Sequence, residues 1–236
     1  MKAFTNTVIT KQELMKELRI HAKMDNFAKG YYFDSDSGKG CAVGCSIESI
    51  NRLKGIDTPI GDHSAFPKLT GIPEWLARVE DSVFEGLSDE DSKKWVIDFT
   101  DAINVGSDLD KIKNPFLIKI VESTLDLHNS KRVKKYQLDV IEYIKGNMLE
   151  RPTRVYVSVS AYASAYAAYA SASASAYAYD YASDSDSDYA YADSASASAA
   201  SAVSVSAYAS AYASGRQEHY KKLSIILIDL IKNCKE

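Results

Sequence analysis

Apolar residues in the first 153 positions recur every three or four residues, the spacing of an amphipathic α-helix. A capping box at Thr10 and Glu13 predicts the start of the first helix, because each side chain can bond a free amide of the other residue. We expect this helix to end by Gly30. Leu14, Leu18, His21 and Met24 follow this start at helical spacing.

The same signals predict further helices up to position 145. Their expected positions are 46–54, Pro73 to Gly86, a segment capped by Ser88, 115–127 and 131–145. Residues 31–33 fit a short strand, and residues 56–71 are predicted as an ordered loop. The chain is therefore expected to be all-α.

Residues 154–214 consist almost entirely of Ala, Ser, Tyr, Val and Asp, and we call them the tract. Strict alternation favours a silk-like sheet, but a sheet needs turns, and Ala is a poor strand former. The large residues step by four and three from Val155 to Tyr169, which favours a helix. We predict a helical hairpin that turns near 183–188, where Ser and Asp are weak helix formers; a solvated low-complexity tail is the alternative.

Composition divides the chain into three parts: a helical N-terminal domain over 1–153, the tract over 154–214, and an amphipathic helix over 215–236 that should pack on the N-terminal domain. The formal charge is −4, and the acidic excess lies in the tract. Since no basic stripe is visible, nucleic-acid binding is not expected. We also expect no membrane span or signal peptide, and three free thiols in a reducing cytoplasm.

The segment from Gly38 to Ser46 is the densest candidate for chemistry. It combines three glycines with Cys41 and Cys45 and leads into a predicted helix start. Free amides and the helix dipole there favour an anion or lower the pKa of a thiol.

Four interpretations of this segment stay open. It can be a structural packing motif with two buried thiols. It can hold a nucleophile, Cys41 or Cys45, with His63 as base and Asp62 orienting that base.

The third interpretation is a small-anion or nucleotide site, and the fourth is a metal site. The anion site would use the ligand residues Lys39, Gly40, Gly44 and Ser46, although the Gly-Lys-Ser/Thr ending of a P-loop is missing. Zinc would be bound by Cys41, Cys45, His63 and His21. No cofactor is otherwise expected.

Four stretches of the sequence resemble a widespread family of bacterial and phage proteins. They are KGCAVGCSIES at 39–49, DHS at 62–64, GIPEWLARVEDSVFEGL at 71–87 and VGSDLD at 105–110. Members share a similar front half and an Ala-rich C-terminal tract. The resemblance implies a bacterial or phage setting inside the cell and supplies no catalytic roles. This chain has Tyr and Ser where other members often have Trp and Arg.

These observations predict a non-enzymatic binding protein in the cytoplasm, such as a phage or prophage accessory factor that acts on a host component. The tract would contact a protein partner or a second copy of the chain. The alternatives are a cysteine-dependent hydrolase or transferase, and a small-anion or nucleotide binder at residues 38–46.

Overall fold

A computed structural model describes residues 1–125, 131–147 and 202–234, and this part of the chain is mostly helical. The described α-helices are α1 (Lys11–Lys23), α2 (Ala42–Lys54), α3 (Phe66–Thr70), α4 (Glu74–Gly86), α5 (Asp89–Ala102), α6 (Lys113–Thr124), α7 (Lys131–Ile144) and α8 (Ala202–Asn233). Two short 3₁₀ helices cover His63–Ala65 and Leu109–Ile112. One antiparallel hairpin pairs β1 (Phe33–Asp34) with β2 (Lys39–Gly40). The predicted all-α class is confirmed.

The start of α1 follows the predicted capping box, whereas its end does not follow the prediction. The amide of Glu13 donates to the Thr10 hydroxyl, and the amide of Thr10 donates to the Glu13 carboxylate at 2.9 Å. The helix ends at Lys23, well before Gly30, and Asp25 adopts a positive φ of 57°. Met24 therefore lies beyond the helix and is exposed, so its predicted place within the helix is wrong.

Helix α2 begins earlier than predicted, at Ala42 instead of position 46. The Cys41 side chain supplies the cap, because its sulfur accepts a hydrogen bond from the Gly44 amide at 3.4 Å. Residues 56–71 are also more regular than an ordered loop, since they contain the 3₁₀ turn at 63–65 and helix α3.

Helix α8 packs on α4, α5 and α6 through the stripe that the sequence predicts. Tyr220, Leu223, Leu227 and Ile231 are all buried. The Tyr220 ring fills the space beside Gly86 of α4, where an added Cβ would lie 2.0 Å from the ring. This last helix is therefore held in the main core.

The sequence boundary between the tract and the last segment is not a helix boundary. Helix α8 begins at Ala202, so its backbone runs without a break through the last thirteen tract residues. The predicted hairpin turn at 183–188 lies outside the described residues. The division at 153 and 214 stays a prediction.

Candidate functional site at the start of helix α2

The glycine-cysteine segment forms β2 and the first turn of α2. The backbone of Tyr32 packs directly against this segment. A Cβ added at Gly44 would stand 1.6 Å from the Tyr32 carbonyl oxygen, and one at Gly40 would stand 2.1 Å from the same atom. The Cys41 amide donates to the carbonyls of Tyr31 and Tyr32 at 3.1 and 3.0 Å. The two glycines thus serve close packing of the backbone over the helix start.

Both thiols at the helix start are buried: Cys41 is 1% exposed and Cys45 is fully buried. Burial, together with the charge of Glu48, raises the pKa of Cys45 to about 12. Burial and the charge of Asp81 also raise the pKa of Cys41. The expectation of a lowered thiol pKa at this helix start is wrong, because burial disfavours the charged thiolate at both positions.

His63 lies near the helix start but pairs with an aspartate that the sequence analysis missed. Its Nε2 is 3.2 Å from Oδ2 of Asp81 on α4, and its ring meets Tyr32 edge-on. Asp62 instead caps the turn at 63–65 by accepting bonds from the amide and hydroxyl of Ser64. The predicted orienting role of Asp62 is therefore wrong.

Asp81 stands between the two groups proposed for nucleophilic chemistry. Its carboxylate contacts His63 and raises the pKa of Cys41. A thiol beside an anion resists ionisation, whereas a catalytic cysteine needs a neighbour that favours the thiolate. The charge arrangement thus opposes nucleophilic catalysis by Cys41.

Glu80, next to the partly exposed Asp81 on α4, is a buried acid whose charge acts on both Cys41 and Cys45. Burial raises the pKa of Glu80 well above its usual range, and the charge of Asp81 raises it further. A sequence signal for Glu80 existed, because it lies four residues after Leu76 and three before Val83 on the apolar stripe of α4. Asp81 carries no comparable signal.

The surroundings also oppose the anion-binding interpretation. The Ser46 hydroxyl donates to the Ala42 carbonyl at 2.8 Å and is buried. Gly40 and Gly44 are covered by residue 32, and Lys39 lies in β2, outside the helix. The charge of Asp81, which raises the pKa of Cys41, also disfavours a bound anion at this helix start.

The four residues proposed as zinc ligands are not assembled as a metal site. His21 belongs to α1, where its Nε2 lies 3.0 Å from the Ser49 hydroxyl, while His63 pairs with Asp81. Within the described ranges, no group of three or more His, Cys, Asp or Glu side chains is placed to hold a metal ion. The zinc interpretation therefore has no ligand set.

Comparisons with known proteins found no matching family model, no matching curated protein and no matching solved structure. The family resemblance in the front half stays a prediction. No helix in the described ranges is both long and apolar enough to cross a membrane. At the start of α2, the geometry favours the structural packing interpretation over the three chemical ones.

Proposed function

We propose that the protein is a non-enzymatic binding protein that offers its tract, residues 154–214, to a protein partner or to a second copy of the chain. The observation that carries this proposal is the continuity of α8, which joins the end of the tract to the folded core. The tract residues in α8 extend about 20 Å as a helix, at 1.5 Å per residue. A stiff connection of this kind favours presentation of a surface.

The anchor of this helix has the packing that such a role requires. Leu223, Leu227 and Ile231 are buried, and each buried side chain of this kind contributes roughly 1.5–3 kcal/mol. The Asn104 amide also donates to the Lys232 carbonyl at 3.3 Å. Because this helix is anchored in the core, a force or a partner that acts on the tract would also act on the folded N-terminal domain.

The composition of the tract supports a contact role. Tyrosine supplies a large contact area at a low entropy cost and is enriched among residues that dominate binding energy. Alanine and serine let neighbouring backbones approach closely. The resemblance noted above supports a setting in the cytoplasm of a bacterial host for this proposal. A phage or prophage accessory factor is its finer form.

Sedimentation velocity of the full-length protein over a range of concentrations tests this proposal. We expect assembly that grows with concentration and is lost when the tyrosines of the tract are replaced by alanine. A matched variant with an equal number of tract serines replaced by alanine should behave like the wild type. A protein that stays monomeric, and captures nothing from a bacterial lysate through these tyrosines, would refute the proposal.

A further inference from the structure

The charges of helix α1 are separated between two faces. Its acids Glu13 and Glu17 lie toward α2, where Lys54 bonds Glu13 at 2.8 Å and Arg52 bonds Glu17 at 2.6 Å. Lysine and arginine side chains of α1 occupy another face. The acids of α1 thus pair with the cations of α2. They do not pair with the lysine and arginine side chains on the other face of α1.

The cationic face of α1 lines an open groove next to the end of α5. The groove has a volume of about 500 Å³. Its lining residues are Lys11, Gln12, Met15, Lys16, Arg19 and Asp101. Met15 is only 5% exposed and forms an apolar floor, and the Lys11 ammonium is held by the Asp101 carbonyl at 2.7 Å.

Lys16 and Arg19 are the available charges of this groove. Both side chains are exposed, and across the described ranges neither forms an ion pair. They lie three positions apart on one helix, so their attachment points are about 5–6 Å apart. Two carboxylates three or four positions apart on a partner helix have the same spacing.

We propose that this groove binds an acidic amphipathic segment of a partner protein. Two carboxylates would pair with Lys16 and Arg19, and an apolar side chain between them would lie on Met15. The site favours a peptide over a nucleic acid, because only a short cationic stretch is present, Asp101 lies at one end of it, and the whole chain carries a charge of −4. This surface shares no residue with the tract, so it stands or falls independently of the function proposed above.

Fluorescence anisotropy with the full chain and a labelled helical peptide tests this proposal. The peptide carries two glutamates three positions apart that flank a leucine, and its control carries glutamines at those positions. We expect binding of the glutamate peptide alone, weakened by salt. The variant K16E/R19E should lose about tenfold or more in affinity.

The matched control is K131E/R132E, which makes the same charge change on two exposed residues of α7. It should change the affinity by less than about twofold. The proposal is overturned if wild type binds both peptides equally or neither, or if both double variants lose affinity alike. Tighter binding of a labelled single-stranded DNA, abolished by K16E/R19E, would also overturn it. Circular dichroism checks that each variant is folded, and K16Q/R19Q, with a smaller charge change, should weaken binding in the same direction.

Discussion

The start of α2 holds one unusual stretch of the sequence, and α8 contains the last thirteen residues of another, the tract; the surroundings of the two helices differ. The start of α2 is enclosed by residue 32, by buried Glu80 and by Asp81. Helix α8 is buried along one stripe near its end and continues back into the tract. The first stretch is packed into the interior, whereas the second runs directly into a helix that packs on the core.

This difference shows that a dense motif does not by itself make a reactive site. Three glycines, two thiols and a helix start suggest chemistry. Here the glycines Gly40 and Gly44 allow the Tyr32 backbone to approach closely, and the two thiols are buried in the core. The monotonous tract suggests little chemistry, yet its last thirteen residues continue without a break into the helix that packs on the core. Four predictions can break or sharpen this comparison.

The largest effect on the free energy of unfolding is expected when one glycine in each region is replaced by alanine. Gly44→Ala in α2 should destabilise the protein by roughly 3 kcal/mol or more, because the new Cβ would meet the Tyr32 carbonyl. Gly215→Ala in α8 has open space and should stabilise the protein by up to about 1 kcal/mol through helix propensity. Urea unfolding followed by circular dichroism measures both. Equal stability of the two variants would show that the Tyr32 backbone does not pack closely against the start of α2.

The second prediction tests the anchor of α8. Leu227→Ala should cost about 2–5 kcal/mol, because Leu227 is fully buried against the core. The control is Ile225→Ala in the same helix. Because Ile225 is 63% exposed, this change should alter the free energy of unfolding by no more than about 0.5 kcal/mol. Similar small effects at both positions would show that α8 is not anchored in the core, although the proposed function depends on that anchor.

The third prediction concerns pH and Glu80. Its raised pKa means that the folded state holds the neutral acid, so its contribution to stability is full below the unfolded pKa and declines as pH rises above it. Relative to wild type, Glu80→Gln should therefore gain stability as pH rises from 4, by at most about 1.4 kcal/mol per pH unit. Thermal unfolding at several pH values measures the difference.

The control for this titration is Glu90→Gln, which removes a carboxylate from the exposed surface of α5. Its stability should differ from that of the wild type by no more than about 1 kcal/mol, the usual contribution of an exposed carboxylate in the first turn of a helix. If Glu80→Gln showed the same flat difference, the carboxyl group of Glu80 would not be held neutral by the core.

The smallest effect on stability, and the most direct test of reactivity, comes from thiol alkylation. Cys41 and Cys45 should react at pH 8 about a hundredfold or more slower than in urea, because their raised pKa values and burial suppress the thiolate. Cys234 follows the last residue of α8 and should react first through local fraying. Mass spectrometry of the labelled peptides gives the order. Rapid alkylation of Cys41 in the folded protein would revive the nucleophile interpretation.

Local features of the fold could be predicted from the sequence because they depend on neighbouring residues. The capping box at Thr10, the cap at Ser88 and the buried stripe of α8 all appear as predicted. The end of α1 and the start of α2 were missed. The first depends on a backbone turn at Asp25, and the second on a cysteine acting as a cap, which is an unusual residue in that position.

The candidate site shows the limit of local patterns. The sequence by itself determined the all-α class, most helix positions and the amphipathic face that anchors α8, because periodicity and capping are written in consecutive residues. Only the tertiary structure decided that His63 pairs with Asp81, that residue 32 lies on Gly40 and Gly44, and that the pKa values of both thiols rise. Proximity between distant residues and loss of water around a charge arise from packing, and no short stretch of sequence encodes them.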